Sequence, residues 1–232
     1  MQYPQVPVTK PRDTSADSTR AQIIRAAARQ FATNSYSSVN LDEILADAKV
    51  TRGALYFHFR SKHALAEAIL DERARMTRSA LVELINRRMS GLETIVDMVY
   101  LVGAQEFGTE LGRAGLNLMD CLGRIEGVQS RRLNEWVTAM AAVVERAAEE
   151  GDINADLDAE DVARLIIAVY AGTRLTTDMA DARQFLHHMA KNWNLVLPAI
   201  ANPERLGYLN EFIRRRTAHA LREWKQTEAP SS

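Results

Sequence analysis

The segment 38–62, SVNLDEILADAKVTRGALYFHFRSK, concentrates side chains that can hold and read a polyanion. Thr51 is placed to cap a short helix, and the free N–H groups at that helix start point toward phosphates or base edges. Arg52 can bond a guanine edge with two parallel N–H groups, and Gly53 and Ala54 are small enough to let the backbone enter a major groove. Tyr56 lies one turn after Arg52 on the same face. Its hydroxyl, with His58 and Lys62, suits phosphate contacts that set register rather than sequence. Ser38 can cap the preceding helix or touch the nucleic-acid backbone, and Lys49, in the turn between the short helices, can face a phosphate. Phe59 and part of Phe57 read as core aromatics.

A second set of residues suggests a cavity for a small molecule. Trp136, with Val137 and Met140, sits on an apolar helix face, where on composition alone it reads as core more readily than as a ligand platform. Polar groups shift that balance. Tyr100, Asn117, Tyr170, Thr173 and Thr177 fall on or near apolar faces, and a buried polar group without a partner costs about 1–3 kcal/mol. Thr173 and Thr177 can also bond the preceding helical turn. Catalytic groupings are absent from the sequence: His187 and His188 are adjacent, so roughly 100° apart around a helix and unable to chelate one metal as an i, i+4 pair does. Cys121 has no motif around it, and Arg214, Arg215 and Arg216 point around a helix as solubilising charge. No enzyme and no cofactor are expected.

The elements that must position these residues are helical. The chain has 232 residues, 47% hydrophobic and 25% charged, with a net charge of −1, enough for one or two domains. Its six prolines leave residues 12–197 without one, which favours an all-α chain. One cysteine excludes an internal disulfide and fits a reducing cytoplasm. No run approaches the ~20 apolar residues of a membrane span, so no membrane association is expected. Residues 1–63 carry nine Lys/Arg against five acids, a net +4, leaving −5 for the rest, so a basic segment precedes an acidic body.

Periodicity predicts a mobile arm over 1–17 and a first helix from Ser18 to about Asn34. A two-turn helix follows, capped by Asn40 with Glu43 reaching back in a capping box, and then a helix from Thr51 through Phe59. That is the outline of a three-helix helix-turn-helix unit over 18–63. Ser61 caps a long connecting helix that ends at Ser90-Gly91. Residues 64–226 form a helical body and 227–232 a tail. Five glycines over 108–130 predict short or broken helices there, and a later helix is expected to end at Pro198 to Pro203. The apolar stripes with Leu165, Leu186, Met189, Trp193 and Leu197 are wider than one small body needs, predicting a two-fold dimer through those residues.

The segment VNLDEILADAKVTRGALYFHFRSKHAL resembles the DNA-binding signature of the TetR family of bacterial repressors, with Lys49 where that family usually has Gly. Beyond it, SKHALAEAIL, LGRAGLNL at 111–118, LNEWV at 133–137, AVYAGTRLTT at 168–177 and WNLVLPAIANPERLGYL at 193–209 resemble the receptors for butyrolactone-type signals of filamentous actinobacteria. That resemblance implies a repressor that binds double-stranded operator DNA as a homodimer and is released by a small diffusible signal of the butyrolactone or furan type. An antibiotic or other small molecule is the alternative. It further implies that Trp136 lies over the signal.

Overall fold

In the computed structural model, residues 14–122, 128–178 and 181–228 are described. The expected arm through residue 13, Gly123, Gly127 and residues 229–232 lie outside them. Ten α-helices account for the described chain: α1 (Thr14–Thr33), α2 (Leu41–Ala48), α3 (Arg52–His58), α4 (Lys62–Ile85), α5 (Gly91–Gly108), α6 (Glu110–Leu122), α7 (Val128–Glu149), α8 (Ala159–Leu175), α9 (Ala182–Ile200) and α10 (Leu206–Glu228). A single 3₁₀ turn, Pro203–Arg205, precedes α10, and the described residues hold no strand. The fold is all-α, as periodicity predicts.

Local side-chain chemistry sets the starts. Asn40, Thr51, Ser61, Ser90 and Asp158 each adopt extended backbone and accept a hydrogen bond from an amide in the first turn of the helix that follows. Three details differ from expectation. Helix α1 begins at Thr14 rather than after Asp17. The Asn40 side chain accepts from Asp42 N at 3.0 Å, serving the second helical amide, whereas the reciprocal capping box forms at Ser90 and Glu93. Helix α4 ends at Ile85, ahead of the expected stop at Ser90-Gly91, whereas α9 runs through Pro198 and ends at Ile200, within its expected end at Pro198 to Pro203. Pro198 and Asn194, four residues earlier, are both exposed, so the carbonyl that loses its partner is open to water.

In the glycine-rich stretch α5 stops at Gly108 and α6 is short, at 13 residues, as expected. Gly112 and Gly115 also serve as points of close approach: a Cβ on Gly112 would lie 2.0 Å from the Gln105 carbonyl oxygen, and one on Gly115 would lie 2.2 Å from Arg73 Cδ. At Gly112 the neighbour is backbone, so only glycine lets α6 press onto α5 this tightly; at Gly115 it is the Arg73 side chain.

Two apolar cores result. One gathers Ile23, Phe31, Ile44, Leu55, Leu65 and Ile69 from α1–α4, together with Ala114 and Leu118 of α6. The other gathers Leu84, Ile95, Tyr100, Val144, Ile166, Trp193 and Leu209 from α4, α5 and α7–α10. Helix α4 therefore runs through both, and α6 packs on α1, α4 and α5.

Candidate functional site

The α2–turn–α3 unit is built from short-range contacts. Lys49 ends α2 in the left-handed conformation (φ 53°, ψ 42°), and its amide returns to the Ala46 and Leu45 carbonyls. This is the position usually given to glycine, and the lysine side chain is exposed there. Thr51 Oγ1 accepts from Ala54 N at 3.2 Å and starts α3. Leu55 and Phe59 are buried beneath the helix. The opposite face is open. A Cβ on Gly53 would touch only Thr51 Oγ1, at 3.9 Å, and Tyr56 and Phe57 are 46% and 80% exposed. Phe57 thus contributes nothing to the core, contrary to the expectation that part of it packs inward.

Three of the expected nucleic-acid contacts already have partners in the protein. The Arg52 guanidinium forms an ion pair with Asp42 across the α2–α3 turn, both side chains being largely exposed. Ser38 Oγ donates to the Ser35 carbonyl at 3.0 Å, in a small serine cluster before α2. Lys62 Nζ donates to Val39 O at 2.6 Å and Ser37 O at 3.3 Å and lies 4.9 Å from the Tyr36 ring centroid. Burial lowers its pKa. Its ammonium ties the loop before α2 to the start of α4. Arg29 adds a two-bond pair to Asp47, with Nε–Oδ2 at 2.8 Å and Nη2–Oδ1 at 2.9 Å, clamping α1 to α2. That pair holds the Asp47 carboxyl below the usual carboxylate range.

In the larger body a cavity of about 150 Å³ lies between α4, α5, α7 and α8. Trp136, Met140 and Tyr170 line it, as do Met98, Val99, Val102, Leu133, Ile166 and Ile167. Its polar lining is Arg73, Glu106 and Tyr170, which bond to one another: Arg73 pairs with one Glu106 oxygen and the Tyr170 hydroxyl donates to the other. Glu106 is almost fully buried. Burial, then the adjoining carboxylate, pushes the Tyr170 phenol pKa well above its ordinary value, so it stays protonated.

The other candidate ligand contacts are engaged elsewhere. Tyr100 Oη shares a 2.6 Å hydrogen bond with Thr217 Oγ1 on α10. Asn117 Nδ2 donates to the carbonyls of Phe31 at 2.9 Å and Ala32 at 3.2 Å, capping the end of α1 from α6. Thr173 Oγ1 donates to Val169 O and accepts from Asn192 Nδ2, both at 2.7 Å, while Thr177 Oγ1 donates to Thr173 O at 2.7 Å. None of these four lines the cavity.

The expected partner interface also needs correction. Leu186, Met189, Trp193 and Leu197 are buried within the protomer's own core, so a second chain cannot reach them. Leu165 remains exposed. The exposed sides of α8 and α9 carry Leu165, Ala168, Gly172 and Leu175, and Leu195, Pro198 and Ala199, respectively.

Arg73, Glu106 and Asp42 were not singled out from sequence. The signal for Glu106 is an acid within the otherwise apolar run VYLVGAQEF, where an ionised group must find a partner. Among the described residues no group of three or more His, Cys, Asp or Glu could hold a metal, and no helix is long and apolar enough to cross a membrane.

Comparison with known proteins follows the same division. The model for bacterial regulatory proteins of the tetR family matches residues 23–69, and that for a tetracyclin repressor-like C-terminal domain matches residues 89–202. The chain is 32% identical to the A-factor receptor protein of Streptomyces griseus over 94% of its own length and 76% of that protein's. CprB from S. coelicolor A3(2) superposes with a TM-score of 0.74 at 30% identity, covering 87% of this chain and 98% of that one. A gamma-butyrolactone receptor, an ArpA-like protein, superposes with a TM-score of 0.73 at 27% identity, covering 88% and 99%. A second CprB structure, with a TM-score of 0.71 at 29% identity over 88% and 98% of the two chains, is a complex with its biological operator sequence. The chain belongs to the tetR family of bacterial regulatory proteins, a family of transcriptional regulators rather than enzymes, and is related to the gamma-butyrolactone receptors.

Proposed function

We propose that this regulator represses transcription by holding an inverted-repeat operator as a two-fold dimer, and lets go when a small amphipathic signal of the butyrolactone or furan type enters the cavity beside Trp136. The observation that carries the reading is the composition of that cavity: apolar walls with a polar end that includes Arg73, a residue of the same helix that follows the DNA-binding unit. A flat indole suits a lactone or furan ring, and Met98, Met140 and Ile166 suit an alkyl tail. Of the polar candidates Tyr100, Asn117, Tyr170, Thr173 and Thr177, it is Tyr170 that supplies the polar contact.

Occupancy then bears on the operator by two routes. Arg73 spans from Glu106 to Gly115, so a shift of the polar end moves α4 against α6. Asn117 on α6 holds the last carbonyls of α1. A ligand that favours one arrangement of these helices needs a coupling of about 1–3 kcal/mol to change operator affinity roughly 5- to 150-fold. At the DNA, Arg52 reads base edges, Gly53 and Ala54 allow close approach, and Thr51, Tyr56, His58 and Lys49 meet phosphates. One short helix reads too few base pairs for a genome, which is why paired readers are required. The exposed apolar residues of α8 and α9, with Leu165 and Leu195 foremost, form the surface between the copies.

Trp136→Ala tests the assignment. The variant retains operator binding in an electrophoretic shift but is no longer released by an alkyl γ-butyrolactone. If Trp136 only fills the core, the same truncation costs about 3–5 kcal/mol and damages folding and DNA binding together; a stable variant released normally rejects the cavity as the signal site.

A further inference from the structure

A second cavity lies on another face of α5, between α5, α9 and α10, with a volume of about 300 Å³ against about 150 Å³ for the first. The two share no described lining residue. Small-molecule sites begin at roughly this size, about 300–1,000 Å³. Its floor is the stretch of α5 where Gly103, Ala104 and Gly108 keep the helix surface low. A Cβ on Gly103 would lie 2.7 Å from Phe185 Cε1, and one on Gly108 would lie 3.4 Å from Trp224 Cζ3, so the missing side chains let both rings stand against α5. Phe107 and Phe185 meet with ring centroids 4.7 Å apart, and Tyr100 lines the cavity as well. Four aromatic rings from three helices therefore frame one space. Ala104, Gly108 and Glu223 on its lining are exposed, which gives the space a mouth to solvent.

The polar groups of that lining already have partners in the protein. Tyr100 Oη shares its hydrogen bond with Thr217, and Thr109 Oγ1 donates to Gln105 O at 2.8 Å and accepts from Gly112 N at 2.9 Å. Arg216 Nε donates to Asp97 at 2.5 Å. Glu223 Oε2 lies 3.0 Å from His219 Nδ1 and 3.8 Å from Arg216 Nη1. Each charge on the lining is thus met by a counterpart, and none calls for an ion. Ring faces and edges are what remain on offer, and these suit another flat ring. We propose that this cavity is a second ligand site, which takes a flat, uncharged aromatic molecule of about two fused rings. Such a ligand is distinct from the signal held beside Trp136, and neither site depends on the other.

The probe is prodan, an uncharged naphthyl ketone whose emission moves to the blue when it leaves water. Added to the full chain, it should give a saturable blue shift with one site per chain. Ala220→Trp places a large ring in the cavity and should weaken that binding at least roughly tenfold. Trp224→Ala removes one aromatic wall and should weaken it roughly 3- to 10-fold. Val102→Phe, which fills the first cavity instead, should leave it unchanged. Unlabelled 2-acetylnaphthalene should displace the probe, whereas its saturated counterpart 2-acetyldecalin, too thick to lie between the rings, should not.

No saturable shift overturns the second site. Binding lost in Val102→Phe but kept in Ala220→Trp places the probe in the first cavity and overturns it as well, while leaving the signal reading intact. Displacement by the saturated ketone as readily as by the aromatic one overturns the ligand class. Circular dichroism checks the fold of each variant; should Ala220→Trp not fold, Trp224→Ala, at a partly exposed position, decides in its place.

Discussion

Replacing Lys62 by Met separates a structural role from a DNA contact. The ammonium donates to two carbonyls of the loop before α2, Val39 O at 2.6 Å and Ser37 O at 3.3 Å, and lies 4.9 Å from the Tyr36 ring centroid. Hydrogen bonds to a charged group contribute about 1.5–3 kcal/mol, and a cation over an aromatic face about 0.5–1 kcal/mol at an exposed site. Desolvation of the ammonium, visible in its lowered pKa, offsets part of this. Methionine keeps the aliphatic stem against Tyr36 but leaves both carbonyls without the cation. A loss of about 2–3 kcal/mol in urea unfolding is therefore expected. The second measurement is the slope of log affinity against log salt on a duplex selected by the protein from a random pool. A phosphate contact removed would flatten that slope by about 0.9. The geometry predicts an unchanged slope with lowered stability; unchanged stability with a slope flatter by that amount refutes the reasoning.

Three further outcomes follow from other contacts. Asp42→Asn releases Arg52 from its ion pair, so affinity for scrambled duplex should rise and the ratio of selected to scrambled binding should fall; Arg52→Ala should weaken the selected duplex roughly 10- to 100-fold and relax base preference, as read by fluorescence anisotropy. Leu195→Asp, on the exposed side of α9, should keep the fold but reduce the light-scattering mass to the 26.0 kDa of one chain and weaken operator binding, whereas Leu197→Asp, fully buried, should prevent folding. Burial raises the pKa values of Tyr100 and Tyr170, so the unfolded chain loses those protons first as pH rises. The stability they contribute is whole below about pH 10 and drains above it by about 1.4 kcal/mol per pH unit for each tyrosine until its folded pKa is passed; Tyr170→Phe should make the decline shallower by one proton, and an unaltered decline would contradict the buried, protonated phenol.

Features that depend on a few neighbouring residues were legible in the sequence. Thr51 and Ser61 read as caps because a short oxygen-bearing side chain serves an amide three residues on. The left-handed Lys49 was legible only through the resemblance, which puts Gly at that place. Partners distant in the chain were not legible. Lys62 finds carbonyls 23 and 25 residues back, and Asn117 bonds carbonyls 86 and 85 residues back, contacts that only the packing of α4 and α6 creates. Periodicity identified α9 as amphipathic, yet it could not say whether Leu186, Met189, Trp193 and Leu197 face a partner or the protomer's own core, since both demand the same apolar stripe. The packing role of the α6 glycines was hidden for a related reason. Gly112 and Gly115 weaken a helix in isolation, but here they admit a neighbour that a Cβ would exclude. At the cavity, Trp136, Met140 and Tyr170 share apolar spacing that sequence displays, whereas the Arg73–Glu106 pair joins residues 33 apart across two helices.

Release of DNA by the signal is the claim on which the account turns, and anisotropy of a labelled operator duplex bound to the full chain measures it directly. Titration with an alkyl γ-butyrolactone should lower the anisotropy to that of free duplex along a saturable curve, with a midpoint that tracks the lactone's own affinity for the protein. An operator complex that stays intact at lactone concentrations shown by calorimetry to fill the cavity would contradict it.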